Sequence, residues 1–105
     1  MLKTTFDEEL AKEYGCKGLG TCPMHSAGEV YYGDYAKPEG LCDEAWKAMY
    51  QYVFAIAHGS EIFYYGDWID KPGTAICSCN DGLRPVIFKI TRTDELSKID
   101  YVPKT

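Results

Sequence analysis

The feature that most constrains this chain is one long run of apolar residues at helical spacing. Ala45, Trp46, Met49, Tyr50, Val53, Phe54, Ile56 and Ala57 recur at intervals of three and four, which places them on one face of an α-helix. Asp43 is a favourable N-cap, Glu44 suits the positive end of the helix dipole, and Gly59 follows His58 as a terminator. The spacing therefore predicts a helix over 43–58, and its apolar face must be covered by something else in the chain.

The rest of the sequence offers strands as that cover. Residues 74–79 and 85–92 are rich in strand-forming side chains and flank Asn80-Asp81-Gly82-Leu83-Arg84, a five-residue link with a glycine that reads as a hairpin. In the second strand Val86, Phe88 and Ile90 would face one way and Ile87, Lys89 and Thr91 the other. Lys71-Pro72-Gly73 reads as a type II turn. Residues 2–5 and the Val30-Tyr31-Tyr32 run, interrupted by a turn at Gly33-Asp34 before Tyr35-Ala36, are further candidate strands, and residues 62–65 read either as a strand or as an irregular aromatic segment. A second, short helix is expected over 6–14. Thr5 and Glu8 would form its capping box, Phe6, Leu10 and Tyr14 its apolar stripe, and a left-handed Gly15 its end. Residues 15–28, with four glycines and no hydrophobic period, read as a loop. The expected architecture is α+β: a small, mainly antiparallel sheet of three to five strands packed by the long helix and the short N-terminal one. The 105 residues make a single domain, 1–105, with 93–105 as a loosely held tail.

Composition excludes several functions. The net charge of -5 repels a phosphate backbone, so no nucleic-acid partner is expected. The longest unbroken apolar run, 53–57, is far short of a membrane span. The glycines at 15, 18 and 20 lack the strand-before, helix-after context of a phosphate-binding loop. Five cysteines is an odd number, and no basic-then-apolar stretch opens the chain as a secretory leader would. The expectation is a cytoplasmic protein whose sulfurs are thiols or metal ligands.

Three stretches together resemble a known family. They are Gly20-Thr21-Cys22-Pro23-Met24-His25-Ser26-Ala27-Gly28, Pro38-Glu39-Gly40-Leu41-Cys42-Asp43-Glu44-Ala45-Trp46, and Cys79-Asn80-Asp81-Gly82-Leu83-Arg84-Pro85-Val86-Ile87-Phe88-Lys89. Over residues 4–92 the chain resembles a prokaryotic family of short cysteine-containing domains known as an uncharacterised repeat protein, some members of which carry several copies. The resemblance brings no activity with it. It implies that Cys22, Cys42 and Cys79 occupy motif positions, whereas Cys16 and Cys77 are peculiar to this chain.

Two chemical readings compete for these residues. Cys22-x-x-His25 has ligand-like spacing, and Cys42 and Cys79 could complete a Cys3His site for zinc, although no C-x2-C pair is present. Alternatively the thiols are small buried hydrophobes, as free cysteines often are. A thiol-redox role for Cys42 before the helix is opposed by the adjacent Asp43 and Glu44. His58 reads as a helix C-cap. Asp81 and Arg84 read either as an anion-binding pair or as a turn pair. Nine tyrosines, with doublets at Tyr31-Tyr32 and Tyr64-Tyr65, exceed the needs of so small a core and read either as a binding surface or as rim packing over the helix. The sequence therefore points to a non-catalytic accessory or binding domain, self-associating through an aromatic strand surface, with a Cys/His metal or thiol-redox protein as the alternative.

Overall fold

The computed structural model describes residues 3–33 and 36–94. In chain order the elements are β1 (Lys3–Thr4), α1 (Glu8–Tyr14), α2 (Asp43–Ala57), a 3-10 turn (Tyr64–Gly66), β2 (Thr74–Ser78) and β3 (Val86–Thr91). The three strands form one antiparallel sheet in the order β1-β3-β2, with Ala75 opposite Ile90 and Cys77 opposite Phe88. Helix α2 lies across β2 and β3. The class is α+β, with the sheet at the small end of the expected range.

The periodicity of α2 explains the packing. Ala45, Met49 and Ile56 are buried, and Leu41, Ala45, Met49, Val86 and Phe88 make the core between helix and sheet. Val86 and Phe88 are buried while Lys89 is exposed, so β3 alternates as its sequence predicts. The helix closes in a Schellman motif. Gly59 at φ +96° lets its N–H reach Ile56 O and lets the Ser60 N–H reach Ala55 O, which satisfies two end carbonyls. Phe54 lies on the flank of α2, exposed and stacked on His58 at 4.2 Å.

Several expectations need correction. The cap of α1 is Asp7, whose carboxylate accepts the Leu10 N–H; the Thr5 hydroxyl instead donates to Pro85 O at 2.7 Å and extends the β1–β3 pairing. The buried residue of α1 is Ala11, and Leu10 and Tyr14 are exposed. The cap of α2 is Cys42 rather than Asp43, which instead pairs with Lys37 at 2.7 Å. Residues 30–32 form no strand, and residues 62–63 take the irregular alternative and lead into the 3-10 turn. Tyr35 and most of the 93–105 tail lie outside the described residues.

Gly15 ends α1 for a reason other than handedness. Its φ is -78°, but a Cβ there would sit 2.7 Å from the Ala11 carbonyl oxygen and 3.0 Å from Leu19 Cδ2. The residue is small because the loop turns tightly back over the helix. Gly15→Ala should destabilise the fold by about 1–3 kcal/mol. Gly20→Ala, where a Cβ meets nothing within 4 Å, should be neutral in the same urea titration.

Candidate functional site

The long loop between α1 and α2 has no regular structure of its own, and a buried histidine ties it down. His25 is 5% exposed, the one buried polar side chain among the described residues. Its ring packs edge-on against Phe88 in the core and against Tyr31, with centroids 5.9 and 5.7 Å away. Nε2 lies 3.2 Å from the Cys42 backbone N–H, which can only donate. Nε2 is therefore the unprotonated acceptor, and the ring proton sits on Nδ1. There it faces the Tyr31 hydroxyl at 3.1 Å and Glu29 Oε1 at 3.3 Å.

This network also serves the start of α2. The Cys42 N–H is one of the amide donors that a helix N-terminus leaves without an intrahelical acceptor, and Cys42 supplies no side-chain cap of its own. His25 provides the acceptor from 17 residues upstream. Glu29 is organised in turn, because the Ser26 N–H donates to Oε1 at 2.6 Å and the Tyr31 hydroxyl to Oε2 at 3.3 Å. The Ser26 amide chiefly, and His25 after it, hold the Glu29 carboxyl below its ordinary range. Burial, with Glu29 nearby, pushes the Tyr31 phenol up.

Four of the five cysteines share this neighbourhood. Cys22, Cys42, Cys77 and Cys79 all pack against the same five core residues, while Cys16 is exposed. Cys79 Sγ accepts the Val86 N–H at 3.4 Å, and burial pushes the Cys77 thiol up to about 11. Among the described residues no group of three or more His, Cys, Asp or Glu side chains is placed to hold a metal ion. Both nitrogens of His25 are bonded within the protein. Cys22, Cys42 and Cys79 thus pack against the core and His25 against Phe88, and the interactions these residues make there are packing and hydrogen bonding.

Asp81 and Arg84 form a turn pair. Asp81 Oδ1 accepts the Leu83 and Arg84 N–H groups, and Oδ2 accepts from Arg84 Nε at 2.7 Å. This salt bridge holds the Asp81 carboxyl low and the guanidinium high, with the Cys22 and Cys79 thiols within its electrostatic reach. His58 sets Nδ1 2.8 Å from Phe54 O, consistent with a helix-end role.

The tyrosine doublets diverge. Tyr31 is half-buried against His25 and Tyr32 is exposed, but residues 30–32 form no strand, so this doublet lies on no sheet face. Tyr64 and Tyr65 sit on left-handed backbone, at φ 53° and 60°, where a bulky side chain costs roughly 1–2 kcal/mol per residue. Around them is an aromatic cluster that the sequence reading missed. Trp68 meets Tyr64 at 5.0 Å and 88°, Tyr52 at 5.7 Å and Phe63 at 6.2 Å. The Tyr52 and Tyr64 hydroxyls are 2.7 Å apart, and their mutual hydrogen bond pushes the Tyr52 phenol up to about 12. Tyr64 and Trp68 remain 60% and 37% exposed, and Tyr65 is fully so. Only the Tyr64-Tyr65 doublet signalled this surface; Tyr52, Phe63 and Trp68 are spread over the helix and a loop and share no motif.

No helix among the described residues is long and apolar enough to cross a membrane. Compared with protein-family models, curated proteins and solved structures, the chain matches none.

If His25 pins the loop to the helix, His25→Ala should cost about 2–4 kcal/mol, since it opens a void beside Phe88 and leaves the Cys42 amide without its acceptor. Urea denaturation followed by tryptophan fluorescence would measure this. A loss below about 1 kcal/mol would show that the loop is held by other means.

Proposed function

We propose that this chain is a non-catalytic binding domain whose recognition surface is the aromatic corner formed by Tyr64, Tyr65 and Trp68, backed by Tyr52 and Phe63. The observation that carries this reading is the pair of left-handed tyrosines. A fold retains non-glycine residues at positive φ where the surroundings enforce it, and such strain concentrates at functional sites. Here the Tyr52 hydroxyl and the Trp68 ring hold Tyr64, while Tyr65 stands wholly in solvent. An exposed tyrosine held by its neighbours, as Tyr64 is, loses little conformational entropy on binding and brings a large apolar area to a partner. Tyrosine and tryptophan are also the residues that dominate the energetics of protein interfaces.

A thiol-based reading rests on the nearness of Cys22 and Cys79 to Arg84. That guanidinium is committed to Asp81, which leaves the aromatic corner better supported. Self-association was the expected use of an aromatic surface. Two copies at -5 each repel one another, which favours a different molecule as partner. The three cysteine motifs all lie around one core, which supports treating them as the scaffold of the proposed family rather than as its active groups.

The test is selection of peptides from a random display library on the folded protein, followed by rebinding to a Tyr64→Ser/Tyr65→Asp variant shown by melting to remain folded. Most selected peptides should lose at least about tenfold in affinity for the variant, the effect of losing one interface hot spot. Peptides that bind both proteins equally would refute this surface as the recognition site.

A further inference from the structure

The aromatic corner carries more information than its apolar character. A shallow recess of about 400 Å3 opens there, lined by Tyr64, Asp67 and Trp68. The two rings stand at 88° with centroids 5.0 Å apart, so they form two walls of a right-angled corner. The third lining residue is a carboxylate. Asp67 is exposed and, like most surface carboxylates among the described residues, forms no ion pair with a lysine or arginine, so its charge is free to meet a ligand.

Aromatic faces carry negative quadrupole density, and a cation within about 6 Å of a ring centroid is attracted to it. A carboxylate beside two such rings adds a full charge of the same sign, so the recess discriminates on charge as well as on shape. Anions are disfavoured there by Asp67 and by the net charge of -5. Neutral apolar groups gain the ring contacts but would crowd Asp67 without offering it a partner.

Resting on the binding-domain reading above, we infer that this recess takes an organic cation, the ammonium or guanidinium end of a lysine or arginine side chain on a basic segment of another protein. The charged head sits in the open angle of the corner, against both the Tyr64 and Trp68 rings, with Asp67 as counter-ion, and the aliphatic stem lies along the ring edges. Tyr65, fully exposed on its left-handed backbone beside the recess, flanks the incoming segment.

Three five-residue peptides test the assignment: acetylated and amidated Gly-Gly-Lys-Gly-Gly, the same peptide with arginine at its centre, and the same with norleucine, which keeps the lysine stem without its charge. Binding is read from the indole N–H signal of Trp68 in a nitrogen-15 spectrum, with Trp68→Phe used to assign that signal. The lysine or the arginine peptide should shift it with at least about fivefold higher affinity than the norleucine peptide. Asp67→Asn should reduce that preference to about twofold or less, and raising the salt from about 0.05 to about 0.5 M should weaken the charged peptides alone. Tyr64→Phe, which keeps the ring and loses only the hydroxyl contact with Tyr52, should preserve it.

Equal affinity for lysine and norleucine would overturn the cation assignment and leave the aromatic surface standing as an apolar one. No shift at Trp68 with any peptide would overturn it too. The binding-domain reading fails separately, and only if library-selected peptides ignore the Tyr64→Ser/Tyr65→Asp change.

Discussion

One imidazole holds together parts of this protein that regular structure does not join. Residues 15–42 contain no helix or strand among those described, yet they must lie over the sheet and deliver the chain to the start of α2. His25 links them to both. Its ring sits against Phe88 from β3, its Nε2 receives the first amide of the α2 cap, and its Nδ1 meets Tyr31 and Glu29 from the same loop. A buried polar group is tolerable only when its bonding capacity is used, and here both nitrogens are used. The ring nitrogens must also play different roles, one donating and one accepting, so the network prescribes a single tautomer.

This constraint also brings the loop cysteines to the core. With the loop drawn in by His25, Cys22 and Cys42 meet the same core residues as Cys77 and Cys79 from the hairpin. Their sulfurs fill space beside Leu41, Ala45, Met49, Val86 and Phe88, in a chain too short to build a deep core from large side chains alone. The polar chemistry of the region is devoted to closing turns: Asp81 binds the hairpin link and Arg84, and Glu29 binds Ser26. The aromatic corner is built from Tyr52 of α2 and residues 63–68, and it is where the non-glycine backbone turns left-handed and Tyr64, Tyr65 and Trp68 are exposed. One region thus spends its polar groups on stability, and the other leaves rings and a carboxylate to solvent.

Much of the architecture was legible in the sequence. The period of α2 and the alternation of β3 follow from burial, which acts on every residue of an element, so the pattern survives local exceptions. The capping residues were less legible, because Thr5 and Asp43 have equally good partners elsewhere in Pro85 and Lys37. Gly15 was read as a left-handed terminator, whereas its smallness answers a close approach by Ala11 and Leu19 that only tertiary structure reveals. The spacing of His25 from Cys22 points toward a metal. The more telling signal was local: Ser26-x-x-Glu29 is half of a capping box, used here without a helix to position the carboxylate beside the imidazole. The convergence of Tyr52, Phe63 and Trp68 had no sequence signature, since contacts between remote residues leave none in a single chain.

The most direct measurement is the tautomeric state of His25, read from a long-range proton–nitrogen correlation spectrum of the uniformly labelled protein at neutral pH. The account predicts that His25 carries its proton on Nδ1 and that its bare Nε2 resonates as a hydrogen-bonded acceptor. A proton found on Nε2 would set donor against donor at the Cys42 amide and contradict the arrangement from which the rest of the loop is argued.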